Sequence, residues 1–326
     1  MEGINELLEI ARSSGLRAEV FHLKSLGEEN WPLVLESLGR IEQARAEGLD
    51  ITADIYPYRA SATYLQTIVP QKYHEGGRCR LTERLTAPAI RAQVKDDILH
   101  GTTKNMYRAA GGPTGLLLLG DAPGFADISG RYLSDLAIQM GRDALDLALD
   151  ITAAKPDLMV AYFCGTEENA RLAFSRPWVS VGSDAEAVAA APSPSQTPAH
   201  PRAYGTFARI LGQYVREEGL VPLEEAIRRM TSLPADTLRL SGRGRLVAGA
   251  AADIVVFDAA TIKDHATYEQ PHQYADGMQH VVVNGVVTVR DGTFTGHFGG
   301  RALRRSPQTD PTPSSRSERN NVHVID

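Results

Sequence analysis

A chain of 326 residues, 43% hydrophobic and 23% charged, is long enough for one large domain or two small ones and has the composition of a globular protein. Its formal net charge of −6, with a single local basic cluster at Arg301, Arg304 and Arg305, argues against nucleic acid as a partner. No stretch approaches the ~20 apolar residues of a membrane span. Cys79 and Cys164 are too few for a disulfide framework or a cysteine zinc site. Met1 is not followed by the basic and then apolar pattern of a signal peptide. No membrane partner and a cytoplasmic location are therefore expected.

Ile4, Leu7, Leu8 and Ala11 recur at helical spacing, so a helix is predicted over 3–13, stopped by Ser13-Ser14-Gly15. The chain thus opens inside an amphipathic helix, which fits a cut through a repeating β/α pattern. A short strand follows over 17–22, a helix over 31–47 ended by Gly48, and a strand over 50–56. Alternation of this kind with short joins belongs to a parallel α/β sheet or barrel. Residues 61–135, with Glu75-Gly76-Gly77 and Gly111-Gly112-Pro113 around the apolar run Leu116 to Leu119, break the rhythm and read as an insertion.

The rhythm resumes with a helix over 143–153, a strand over 158–163, a helix over 167–174 and a strand over 178–183. A loop rich in Ala, Pro and Ser spans 185–199, and helices are predicted near 205–218 and 222–232. From Gly242 short runs dominate: Gly244–Leu246, Ala252–Phe257, Val281–Val283 and Val286–Arg290 read as strands of a small β unit. Asn284-Gly285 between valine-rich runs predicts a hairpin, because both positions tolerate positive φ. Residues 306–326, rich in Pro, Ser, Thr and charge, read as a disordered tail.

Four places hold residue types that carry chemistry. His22 and Lys24 lie two apart at the carboxyl end of a predicted strand and so share a face. A lone histidine there is more often a hydrogen-bonded strand-end residue than a ligand. In Asp54-Ile55-Tyr56-Pro57-Tyr58, Pro57 stops the strand, and a tyrosine either offers its hydroxyl to a ligand or packs at the loop root. Asp184, after Val179-Ser180-Val181-Gly182-Ser183, is placed to bind a metal, to take a proton from water, or to cap a helix. Arg202, in His200-Pro201-Arg202-Ala203-Tyr204-Gly205-Thr206-Phe207, suits bidentate recognition of a carboxylate, or is simply solvated.

Taken together, these segments resemble the metal-dependent amidohydrolase superfamily and more closely its D-aminoacylase (N-acyl-D-amino-acid deacylase) branch. The pieces are Phe-His-Leu-Lys (21–24), Thr-Ala-Asp-Ile-Tyr-Pro-Tyr (52–58), Ser-Val-Gly-Ser-Asp (180–184) and the segment 200–207, with Met-Thr-Ser-Leu-Pro-Ala (230–235) and Ala-Asp-Ile-Val-Val-Phe-Asp (252–258) completing the set. The resemblance implies an α/β fold: a partial (β/α)8 TIM-like barrel over 1–241, carboxyl-terminal strands only, with the insertion at 61–135 and a small β-sandwich portion over 242–305. It implies zinc-dependent hydrolysis of the linear amide of a small N-acyl-D-amino acid. His22 and Asp184 would be metal ligands, Asp184 also the general base, and Lys24, Tyr56 and Arg202 would hold the substrate carboxylate. The branch usually has a serine where Ala62 stands, so the neighbouring Ser61 becomes the candidate for that substrate contact, and Phe21 replaces a usually small polar residue.

The branch's other zinc ligands, a His-x-His pair, a cysteine and a further histidine, have no counterparts here; no His-x-His occurs at all. A complete barrel takes about 250 residues, whereas roughly four strands precede Gly242, three of them of barrel type. The expectation is a chain that lacks an amino-terminal half. The alternatives are a non-catalytic remnant, one half of a split amidohydrolase, or an amidohydrolase acting on cyclic amides or imides.

Overall fold

A computed structural model describes residues 1–187, 189–190 and 199–303. The predicted tail at 306–326, Arg304 and Arg305, and the part of the Ala/Pro/Ser loop at 188 and 191–198 lie outside the described residues. The chain begins with α1 (Glu2–Ser14), β1 (Ala18–Val20), α2 (Leu33–Ala46) and β2 (Ile51–Ile55). Leu8 and Ala11 of α1 and Val34, Leu38, Ile41 and Ala44 of α2 are buried, the stripe that helical spacing dictates. On β2, Ile51, Ala53 and Ile55 are buried and alternate with Thr52 and Asp54, so the two faces of the strand carry different chemistry.

After β2 the chain builds β3 (Ser61–Tyr64), α3 (Gly77–Thr86), α4 (Pro88–His100), α5 (Met106–Ala109), β4 (Leu116–Leu118), β5 (Arg131–Tyr132), α6 (Leu133–Met140), α7 (Ala144–Ala154) and β6 (Met159–Tyr162). It continues with α8 (Glu167–Phe174), β7 (Val179–Val181) and α9 (Arg202–Arg209), which runs on as π-helix over Ile210–Glu217. Then come α10 (Leu223–Met230), α11 (Ser232–Thr237), β8 (Ile254–Phe257), β9 (Met278–Val283), β10 (Val286–Arg290) and β11 (Thr293–Phe294).

Three sheets result. β1, β2 and β7 pair in parallel in that order, with Val20 beside Ala53 and Ala53 beside Val179. β3, β6, β4 and β5 form an entirely antiparallel sheet. The strand expected over 158–163 is thus present as β6 but sits between β3 and β4, away from the parallel sheet. β6 thus shares a sheet with strands of the 61–135 stretch. An apolar run such as Met-Val-Ala-Tyr carries no information about the direction of its neighbours, so sequence alone does not say which sheet it joins.

β8 to β11 form one antiparallel sheet in the order β11-β10-β9-β8. Its β9–β10 hairpin turns at Asn284 (φ 50°) and Gly285 (φ 81°), both left-handed as a two-residue loop requires. No strand forms at Gly244–Leu246, where Gly244 takes φ 74° against the carbonyl of Thr231. Ile262 is buried in the core beneath the parallel sheet, and its carbonyl accepts from Arg216 Nη1 at 2.6 Å, which ties this small unit to the π-helical segment. Among the described residues no helix is long and apolar enough to cross a membrane.

Two predictions follow from the packing. Ile41→Ala, at a fully buried position on α2, is expected to cost about 2–5 kcal/mol in urea unfolding, and Ile138→Ser, at an exposed one, less than about 0.5 kcal/mol. Glu225 accepts from Arg228 Nε at 2.6 Å and from Arg229 Nε at 2.8 Å, and Arg229 in turn donates to Phe174 O. These bonds, the one from Arg228 foremost, push the Glu225 carboxyl down to about 2 from its ordinary 4.5. Because the folded value is depressed, this stabilisation is complete above 4.5 and is lost as pH falls toward about 2. Unfolding midpoints across that window should fall less steeply in Glu225→Gln than in the parent chain.

Candidate active site

Parallel pairing brings the carboxyl ends of β1, β2 and β7 to one side, and the candidate residues follow those ends: His22 and Lys24 after β1, Tyr56 after β2, Asp184 after β7. The chain leaving β1 is held against β2 by Asp54, whose side chain accepts the His22 N–H at 2.8 Å and whose carbonyl accepts the Leu23 N–H at 2.8 Å. His22 sits at φ 42° there, and Asp184 at φ 48°. Both depart from the extended conformation to turn off their strands.

Burial and the neighbouring Lys24 ammonium push the His22 imidazole below its ordinary value, toward the neutral form. Burial raises the Asp54 carboxyl, which also feels Asp184. Gly182 leaves room for Asp54: a Cβ there would stand 3.3 Å from the carboxyl carbon.

Tyr56 is buried between two cations. Lys24 Nζ donates to its hydroxyl and lies 4.4 Å from the ring centroid, while the Arg202 guanidinium lies 4.8 Å from the same centroid. Arg202, only 7% exposed, places Nη1 2.9 Å from Asp184 Oδ2. Lys24, Tyr56, Arg202 and Asp184 therefore make one continuous group, though they come from four separate stretches of chain.

A cleft of about 680 Å³ opens beside Asp184, His200 and Arg202, walled by Thr63, Leu158 and Met159. A separate cavity of about 30 Å³ is lined by His22, Lys24 and Tyr56, among others. Ser61 joins neither. It is buried, and its hydroxyl accepts from Cys164 Sγ at 3.6 Å, while Ala62 and Thr63 line the cleft.

Asp54 and His200 were not singled out from sequence. For Asp54 a signal existed, a carboxylate inside an otherwise apolar strand. For His200, next to Pro201, there was none beyond its presence in the motif.

Sequence and structure comparisons show what the chain is similar to. The Amidohydrolase family model matches residues 178–289. N-acyl-D-glutamate deacylase of Alcaligenes xylosoxydans xylosoxydans is 32% identical over 310 residues, 95% of this chain and 53% of that protein. D-aminoacylase of the same organism is 31% identical over 303 residues, 93% of this chain and 52% of that protein.

Among solved structures, N-acyl-D-glutamate deacylase from Bordetella bronchiseptica, complexed with zinc and a phosphonate mimic of the tetrahedral intermediate, superposes with TM-score 0.66 at 31% identity. That match covers 87% of this chain and 49% of that one. A D-aminoacylase described as having a binuclear metal centre gives TM-score 0.71 at 30% identity, covering 93% of this chain and 53% of that one. The chain thus spans about half the length of the relatives it matches. It is similar to the amidohydrolase family over residues 178–289, and to the D-aminoacylase branch over nearly its whole length.

The donor set does not fit a complete zinc centre. A catalytic zinc takes about three protein ligands and a water. Among the described residues no three His, Cys, Asp or Glu side chains converge to hold an ion. His22 and Asp184 are two donors, and Asp184 is engaged by Arg202. Cys164, bonded to Ser61, and Cys79, exposed, add nothing.

Tyr56→Phe removes only the hydroxyl bonded to Lys24 and keeps the ring between the cations. It is expected to cost about 0.5–1.5 kcal/mol, whereas Tyr56→Ala should cost about 3–5 kcal/mol by urea unfolding.

Proposed function

We propose that residues 1–241 form the carboxyl-terminal strands of a (β/α)8 barrel, that the sheet of β8 to β11 is one face of a small β-sandwich, and that the site hydrolyses the linear amide of N-acyl-D-amino acids. The reading of the fold is supported by the parallel β1-β2-β7 sheet, whose carboxyl ends carry the candidate residues as barrel enzymes do. The reading of the reaction rests on one observation, the clustering of Lys24, Tyr56, Arg202 and Asp184. Two cations and a phenol suit the carboxylate of an open-chain substrate, which favours linear over cyclic amides.

In this reading the substrate carboxylate is received by Lys24 and Arg202 and oriented by the Tyr56 hydroxyl. It takes over contacts that Arg202 otherwise makes with Asp184, leaving that carboxylate to act as a base. Asp184 accepts a proton from the attacking water and returns it to the leaving amine. The buried Tyr56 ring keeps the two cations apart and in place. Ser61 contributes no substrate contact, and Thr63 is the hydroxyl nearest to that role.

The metal-containing relatives support a metal cofactor, with zinc the proposed ion and His22 and Asp184 its donors on this chain. The two-donor count favours a second reading: this chain is inactive unless further donors are supplied, as in one half of a split enzyme or a non-catalytic remnant.

Calorimetry with N-acetyl-D-glutamate, N-acetyl-D-methionine and their L-enantiomers, with metal content and turnover measured on the same samples, tests both. Binding should be D-selective, and zinc should remain below one equivalent after dialysis. Where turnover is obtained, Asp184→Asn should lower it about 10²–10⁴-fold. Equal D and L binding would sink the deacylase reading. Stoichiometric zinc in the chain alone would sink the two-donor argument.

A further inference from the structure

His200 is the most completely committed polar side chain near the cleft, and no catalytic step above uses it. It is 5% exposed. Its Nδ1 accepts the Arg202 main-chain N–H at 3.0 Å, and its Nε2 lies 3.1 Å from the Ala60 carbonyl. An atom that accepts from an N–H bears no proton itself, so in the neutral ring the proton must sit on Nε2, where it donates to Ala60. The other tautomer would set donor against donor at Arg202 and lone pair against lone pair at Ala60, and a flipped ring would put carbon atoms in both places.

The ring is also fixed by packing. Tyr58 meets it edge-on at 5.4 Å between centroids and 89°, and Tyr268 at 5.2 Å and 89°. Tyr268 further clamps the same stretch of backbone, its hydroxyl accepting the Ala60 N–H at 3.2 Å. Burial first, then the charges of Arg202 and Lys24, disfavour a second proton on the imidazole.

The two ends of this bridge matter. Arg202 opens α9 and turns its guanidinium to Asp184 and Tyr56. Ala60 immediately precedes β3, whose Ala62 and Thr63 form a wall of the cleft. We infer that His200 is a positioning residue: a neutral, Nε2-protonated imidazole that bolts the Arg202 main chain to the inserted sheet and so sets the distance from the carboxylate-binding guanidinium to the opposite wall. The functional half of this inference rests on the proposed role of Arg202 in holding the substrate carboxylate. The tautomer half does not.

The test compares the parent chain with His200→Phe, which keeps an aromatic ring between the tyrosines but deletes both hydrogen bonds, and with His200→Gln, which retains an acceptor and a donor. Ligands are N-acetyl-D-methionine and N-acetyl-D-methioninamide, which lacks the carboxylate. Affinity for the acid should fall about 10-fold or more in His200→Phe, as a loss of about 1.4 kcal/mol or more would produce, while affinity for the amide changes less than about 2-fold. His200→Gln should recover most of the difference.

Nitrogen-15 NMR of the parent chain should show a proton on Nε2 alone, unchanged between about pH 5 and 8. Equal losses for acid and amide would reduce His200 to a packing residue and overturn the inference. So would a proton on Nδ1, or a ring that titrates in that range. If the parent chain shows no D preference, the deacylase reading falls, and the NMR result still decides the tautomer. If His200→Phe does not fold, His200→Asn, whose short side chain cannot span from the Arg202 N–H to the Ala60 carbonyl, takes its place: a larger loss for the acid than for the amide upholds the inference, and equal losses overturn it.

Discussion

Everything functional in this molecule depends on the parallel register of β1, β2 and β7. Because Val20, Ala53 and Val179 lie side by side, the residues that follow each strand emerge at one level and on one side. An antiparallel arrangement of the same three segments would send Tyr56 to the opposite end from His22 and Asp184. The Asp54 side chain reinforces the register by taking the first free N–H beyond β1, so His22 leaves the sheet in a fixed direction.

Upon that frame the electrostatics are organised by one aromatic ring. Two cations close to each other in a half-buried site repel, and desolvation adds to the cost. Tyr56 accepts a hydrogen bond from Lys24 on its hydroxyl and holds the Arg202 guanidinium 4.8 Å from its ring centroid, while Asp184 supplies a counter-charge to Arg202. The result is an anion-receptive group beside which Asp184 and Asp54 are already engaged, the one by Arg202 and the other by the His22 main chain. A catalytic zinc takes more donors than His22 and Asp184, so what the described residues bring together is chiefly two cations, a phenol and a carboxylate.

The inserted antiparallel layer is not an independent appendage. Its strand β3 starts at Ser61, directly after the Ala60 backbone gripped by His200 and Tyr268, and its residues wall the cleft. The candidate site is thus shared between the parallel sheet, which sets Tyr56 and Asp184, and the antiparallel sheet of β3, which sets a wall of the neighbouring cleft.

Much of this was legible in the residues alone. The helices α1, α2 and α8, the strands β1, β2 and β7 and the Asn284-Gly285 hairpin follow from apolar periodicity and turn chemistry, which act over a few residues and leave a local trace. Residue type and the family resemblance singled out His22, Lys24, Tyr56, Asp184 and Arg202 as candidates, and the structure brings Lys24, Tyr56, Arg202 and Asp184 together. The partners were not legible. That β6 belongs with β3 and β4, that Ser61 faces Cys164 rather than the cleft, that Asp54 holds His22, and that His200 reaches Ala60 are contacts across 32 to 140 positions of sequence. Hydrogen bonds and ring packing have short range in space and no range along the chain, so only the tertiary structure could decide them.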